Sequence, residues 1–205
     1  MSNFTYEKQE TRSPLETFEW DNVWWEHTEN TTAKRVVYIG DSISCATRHV
    51  ATELSGNTIL FDGFGTSKGL DNPYYQDSLA LFFKQVPHTD AVLFNNGLHG
   101  WHLSDGEYER KYREMLTFLR SVSDAPLFVV LTTNLQGEDE RNATIDHRNE
   151  IAQRLAAEFG CPCIDLHTVA LEYDSLHAND HVHFTQAGYE RLAEHILKQL
   201  AENGI

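Results

Sequence analysis

Residues 35–50 read RVVYIGDSISCATRHV. Val36, Val37, Tyr38 and Ile39 form a short unbroken apolar run, as expected of a strand buried on both faces. Gly40 and Asp41 end the run, and the residues after Ser42 can start a helix. Ser42 therefore falls at the mouth of a strand-to-helix turn, where open α/β sheets bind their ligands. A serine there is either a nucleophile or a helix cap, and the rest of the chain has to discriminate.

Working outward, four further apolar runs follow: TILFDG from Thr58, AVLFNNG from Ala91, LFVVLTT from Leu127 and CPCIDLH from Cys161. Helical periodicity lies between them. Tyr108, Tyr112, Met115, Leu116 and Leu119 share one face, behind a capping box of Ser104 and Glu107. Ile151, Leu155 and Phe159 recur at i, i+4 and i+8 and stop at Gly160. Tyr189, Leu192, Ile196 and Leu200 repeat the pattern. Alternating strands and helices of this kind predict a parallel sheet covered on both faces, a three-layer α/β/α sandwich. In such a sheet the site lies beyond the carboxyl ends of the strands. The segments to inspect are then Ser42, the glycines near Gly65, Asn95–His102, Thr132–Gly137 and the region past His167.

The length of 205 residues suits one well-cored domain, read here as residues 36–205, preceded by an aromatic-rich segment, 1–35. That segment holds Trp20, Trp24 and Trp25, three of the four tryptophans. It is expected to dock on the sandwich and cover an apolar patch; the sharper alternative is an aromatic platform for sugar rings. A net charge of −15 argues against nucleic acid or an anionic membrane surface as partner. No apolar stretch approaches the ~20 residues of a membrane-spanning helix, and the polar start lacks a signal-peptide pattern, so a cytoplasmic location is expected. Cys45, Cys161 and Cys163 have no disulfide spacing and read as small buried thiols.

Near the C-terminus stands NDHVHFTQAGYERLAEHI, with Asp180 and His183 three residues apart before an amphipathic helix. A serine nucleophile needs a base to take its proton and a carboxylate to orient that base. If the loop carrying Asp180 and His183 folds over the strand ends, Ser42 and His183 meet.

At this point a resemblance becomes specific. GDSIS after the first apolar run and DHVH before the last helix resemble the first and last blocks of the SGNH (GDSL-type) hydrolases. These are serine esterases and lipases with a flavodoxin-like sandwich around a five-stranded parallel sheet. The resemblance spans roughly Arg35 to Leu200 and implies Ser42 as nucleophile, Asp180 as acid and His183 as base, with no metal and no cofactor. FGTSKGL resembles the second block, which implies Gly65 as a backbone oxyanion donor beside the Ser42 amide.

The third block departs. The family has Gly-x-Asn-Asp, whose Asn side chain is an oxyanion donor, whereas this chain reads FNNGLHGWH. Gly97 aligns, but His99 takes the Asn position and Gly100 the Asp position. Either His99 donates instead, or Asn96 reaches in, or the third donor is missing. Loss of one such donor typically costs ~2.7–4 kcal/mol of transition-state stabilisation. Asp41 reads as a carboxylate satisfying local N–H groups. It stands with Leu98, Trp101 and His102 as a candidate for the substrate-binding wall.

Two other classes remain open. His177, Asp180, His181 and His183 crowd seven positions, which suits a metal-dependent hydrolase, although alternating side chains on an extended segment do not easily share one ion. A carbohydrate-binding module on a hydrolase scaffold has the altered third block as its only support. The expected partner is a small ester, with an acetylated saccharide preferred. A lipid-type acyl ester, lysophospholipid or thioester is the runner-up, and oligomeric state is not legible.

Overall fold

A computed structural model describes residues 13–16, 18–86 and 88–205 of the chain; residues 1–12 and 17 of the N-terminal segment lie outside the described residues. Among the described residues six strands form one sheet: β1 (Asp21–Trp24), β2 (Lys34–Gly40), β3 (Ile59–Thr66), β4 (Ala91–Phe94), β5 (Leu127–Val130) and β6 (Cys163–Ile164). Their spatial order is β1-β3-β2-β4-β5-β6. The last five in sequence are mutually parallel and reproduce the flavodoxin-like order 2-1-3-4-5. The sixth strand is an addition: β1 runs antiparallel to β3 in register Asp21↔Thr66 to Trp24↔Gly63.

Six α-helices among the described residues flank the sheet: α1 (Ser42–Leu54), α2 (Tyr75–Phe83), α3 (Asp105–Val122), α4 (Asp139–Phe159), α5 (Leu166–Glu172) and α6 (Gln186–Glu202). The period of two along each strand divides the core. Val36, Tyr38, Ala91 and Leu93 pack with Val50 of α1 and Ile196 of α6, while Val37, Ile39, Val92 and Phe94 pack with α2, α3 and α4. A strand buried on both faces must read as a continuous apolar run, and β2 does.

Local signals account for the helix ends. Asp41 caps α1, its Oδ1 accepting the Ile43 amide at 2.9 Å. Ser104 and Glu107 form the expected capping box at α3, and Gly160, left-handed at φ 62°, ends α4. α4 begins at Asp139, well before its apolar periodicity, and the face it buries first carries Ile145, Arg148 and Asn149. The Asn149 side chain accepts the Thr132 amide at 2.8 Å and donates to the Thr132 carbonyl at 2.9 Å, standing in for a strand partner just past β5.

The cysteines are all free thiols. Burial pushes Cys163 up to about 12 and raises Cys161 as well. Trp25 stacks on Phe82 at 5.0 Å, whereas Trp24 is 46% exposed beside the His49 ring. No helix among the described residues is long and apolar enough to cross a membrane.

Candidate active site

The strand order reverses at β2: the chain goes from β2 to β3 on one side and later to β4 on the other. Ser42, the first residue of α1, therefore sits between the loops that follow β3 and β4. The first-turn amides of a helix have no intrahelical acceptor, so the Ser42 N–H is offered at the positive end of α1.

The loop before α6 brings His183 to Ser42. Nε2 of His183 lies 2.9 Å from Ser42 Oγ, across 141 residues of sequence. Nδ1 of His183 lies 2.7 Å from Asp180 Oδ2. The other carboxylate oxygen accepts the amides of Val182 at 3.0 Å and His183 at 2.9 Å. Burial alone would raise the Asp180 pKa, but the His183 side chain and these two amides hold it down at about 2. The carboxylate is thus kept charged next to the imidazole. The loop itself is closed by Ala178 N–H donating to the His183 carbonyl at 2.7 Å and by an isolated bridge between His177 and Phe184. His181 takes a left-handed φ of 65°, and its carbonyl accepts the Gln136 amide at 2.9 Å, tying the loop to the one after β5.

The remaining histidines of that run go elsewhere. His177 is buried, with Nδ1 2.8 Å from the Asp174 carbonyl and Nε2 3.2 Å from the Asn134 carbonyl. His181 contacts Gln136 Oε1 at 3.0 Å. Among the described residues no group of three His, Cys, Asp or Glu side chains is arranged to hold a metal ion.

Gly65 lies inside β3, in register with Gly40 of β2 and Asn22 of β1. The residue must be glycine for packing reasons, since a Cβ there would stand 2.1 Å from Cys45 Sγ and 3.4 Å from the Trp20 ring. The loop after β3 is joined to the loop after β4 by Asn96, whose Nδ2 donates to the Lys68 carbonyl at 3.0 Å. His99 is buried at 2% exposure. Asp41 is also buried and acts as the α1 cap, and Leu98 belongs to the core under α1 and α6. Neither is placed to form an open substrate wall. Trp101 is half-buried with Arg141 and Arg148 over its ring, and His102 contacts Asp71 at 2.7 Å.

Two residues at this end of the sheet escaped the sequence reading. Arg148, fully buried, donates to the carbonyls of Gly97 at 2.8 Å, His99 at 2.8 Å and Gly100 at 2.7 Å. Glu16 brings Oε1 to 3.3 Å from His99 Nδ1. An arginine within a polar helical stretch and a glutamate 83 residues upstream of its partner leave no local signal.

The family model of the GDSL-like lipase/acylhydrolases matches residues 38–191, three quarters of the chain. The chain belongs to this family. It is accordingly an ester hydrolase, and the sandwich of this GDSL-like enzyme is shared with solved structures of low identity. A member of the lipolytic G-D-S-L family from Veillonella parvula superposes with a TM-score of 0.68 at 17% identity, covering 81% of this chain and 97% of that one. The acetyl xylan esterase AlAXEase gives a TM-score of 0.63 at 18% identity, covering 80% and 98%. Axe2, an acetylxylan esterase from Geobacillus stearothermophilus, gives 0.65 at 14%, covering 83% and 96%. A search of curated protein sequences gave no match.

Proposed function

We propose that this GDSL-like enzyme hydrolyses a short acyl ester, with acetyl on a carbohydrate or other polar alcohol as the preferred substrate, through an acyl-enzyme on Ser42. The observation that carries the reading is the continuous chain from Ser42 Oγ to His183 at 2.9 Å and from His183 to Asp180 at 2.7 Å. His183 Nε2 takes the Ser42 proton as Oγ bonds to the acyl carbon. The resulting oxyanion is held by the Ser42 amide, with Gly65 and His99 as further donors. His99 is favoured over Asn96 because it stands at the position of the family's side-chain donor and its Nε2 has no partner among the described residues, whereas Asn96 Nδ2 gives one of its two hydrogens to the Lys68 carbonyl. The proton then passes from His183 to the leaving alcohol oxygen as its bond to carbon breaks. Water repeats the sequence, and the acid leaves with Ser42 restored.

The acetyl preference is supported by the polar and aromatic residues around the strand ends and by neighbours that are acetyl xylan esterases by name. A longer acyl chain is the second reading, favoured by Leu15 and Phe18, which are 48% and 42% exposed on the N-terminal segment.

The test is hydrolysis of p-nitrophenyl acetate, butyrate and octanoate by wild type and Ser42→Ala, with and without EDTA. Ser42→Ala should lose more than about 10³-fold in kcat, and EDTA should change nothing. Preference for octanoate would replace the acetyl reading with the second one. Activity that survives Ser42→Ala would refute the acyl-enzyme.

A further inference from the structure

His99 and Glu16 form a buried pair, their side chains 2% and 3% exposed and Nδ1 3.3 Å from Oε1. The other ring nitrogen, Nε2, is buried and has no hydrogen-bond partner among the described residues. A buried ring nitrogen without a partner is costly, and one that carries a hydrogen gains its partner when an oxyanion arrives. His99 also occupies the position at which the family places a side-chain oxyanion donor.

The main chain around His99 is fixed from behind. Arg148 binds the carbonyls of Gly97, His99 and Gly100, and the Tyr108 hydroxyl donates to the Asn96 carbonyl. What remains free is the imidazole, and that is where Glu16 acts. Glu16 is itself held in place. Its amide donates to Glu19 Oε1 at 3.0 Å, and Asn72 Nδ2 donates to the same oxygen at 2.7 Å. Four residues on, Trp20 N–H donates to Ser67 Oγ at 3.0 Å, and Ser67 N–H donates to the Trp20 carbonyl at 3.2 Å. The Trp20 ring meets His99 edge-on at 6.4 Å. The N-terminal segment is thus laced to the loop after β3 while reaching the loop after β4.

A ring nitrogen serves an oxyanion only when it carries a hydrogen, and the contact at the other nitrogen decides where the ring's hydrogen sits. We propose that Glu16 is a positioning residue: its contact with Nδ1 fixes the His99 ring and its tautomer so that Nε2–H serves the substrate oxyanion, replacing the family's asparagine. This rests on the serine-esterase reading above. The N-terminal segment thereby supplies a working part of the catalytic centre.

The experiment is a double-mutant cycle on the full chain with p-nitrophenyl acetate, each variant's melting temperature being measured alongside. Glu16→Ala and Glu16→Gln should each lower kcat about 10- to 100-fold with KM nearly unchanged, the range for removing a residue that orients a working ligand or donor. In a His99→Asn background, where the asparagine donates without help, the same Glu16→Ala change should alter kcat by less than about twofold. An equal loss in both backgrounds, or no loss in either, would overturn the proposal. A second readout is independent of turnover: ¹⁵N NMR of the His99 ring should find Nε2 protonated in wild type and not in Glu16→Gln. An Nε2 without a proton in wild type would overturn the proposal as well. If Ser42→Ala kept activity, the esterase reading would fail instead, and the ring measurement would still report on the pair.

Discussion

Asp180 holds His183 twice, accepting its backbone amide at 2.9 Å with one carboxylate oxygen and its imidazole at 2.7 Å with the other. The three-residue spacing of the DHVH block is therefore a geometric requirement, because one side chain must reach both the main chain and the ring of the same residue. Asp180→Asn keeps the shape but presents an amide that stabilises the wrong tautomer and no cation. It should lower kcat by about 10⁴-fold with little change in KM, measured on p-nitrophenyl acetate.

The same carboxylate sets a pH dependence. Its folded-state pKa lies at about 2, below the ordinary 3.8. A depressed value stabilises the fold fully above the unfolded pKa, and that contribution disappears as pH falls from about 4 to about 2. Solvent screens part of it, since the side chain is 37% exposed. Melting temperatures of wild type and Asp180→Asn, compared from pH 7 downward, should converge below about pH 4.

Cys45 and Gly65 are tested by each other. A methyl at Gly65 would meet Cys45 Sγ at 2.1 Å inside a strand paired on both sides. Gly65→Ala should destabilise by about 1–3 kcal/mol in urea unfolding. Adding Cys45→Ala, which removes the sulfur, should recover part of that loss, whereas independent effects would simply add.

Arg148→Gln would leave buried carbonyls among Gly97, His99 and Gly100 without donors. It should cost about 3 kcal/mol or more in denaturant unfolding. Hydrogen exchange should rise first in the 96–103 loop and leave β2 protected.

The strands β2 to β5 and the face of α3 were legible because burial on both sides, or along one stripe, leaves a periodic trace in the side chains. Ser42, Asp180 and His183 were legible for a related reason, since each sits in a short local block. The first half of α4 was not, because Ile145 is the one apolar residue on its buried face and the others, Arg148 and Asn149, serve backbone groups far away in sequence. β1 was not either: Asp21–Trp24 is exposed throughout, and only its partner β3 makes it a strand. Leu98 and Asp41 were offered to the substrate because they stand beside the site in sequence, but the fold turns one into core and the other into a helix cap. Glu16 meets His99 through tertiary contact alone.

β1 also bears on how copies of this molecule treat one another. An open sheet ends in two borders, each a row of amides and carbonyls able to recruit a foreign chain. One border is β6, only two residues long, and it offers little to recruit with. The other would be β3 at eight residues, but β1 occupies its Gly63–Thr66 half. A chain trimmed to begin at Lys34, where β2 starts, would retain Ser42, Asp180 and His183 yet leave this stretch naked. Such a chain would be prone to clump through strand addition, which makes the N-terminal segment a guard of solubility.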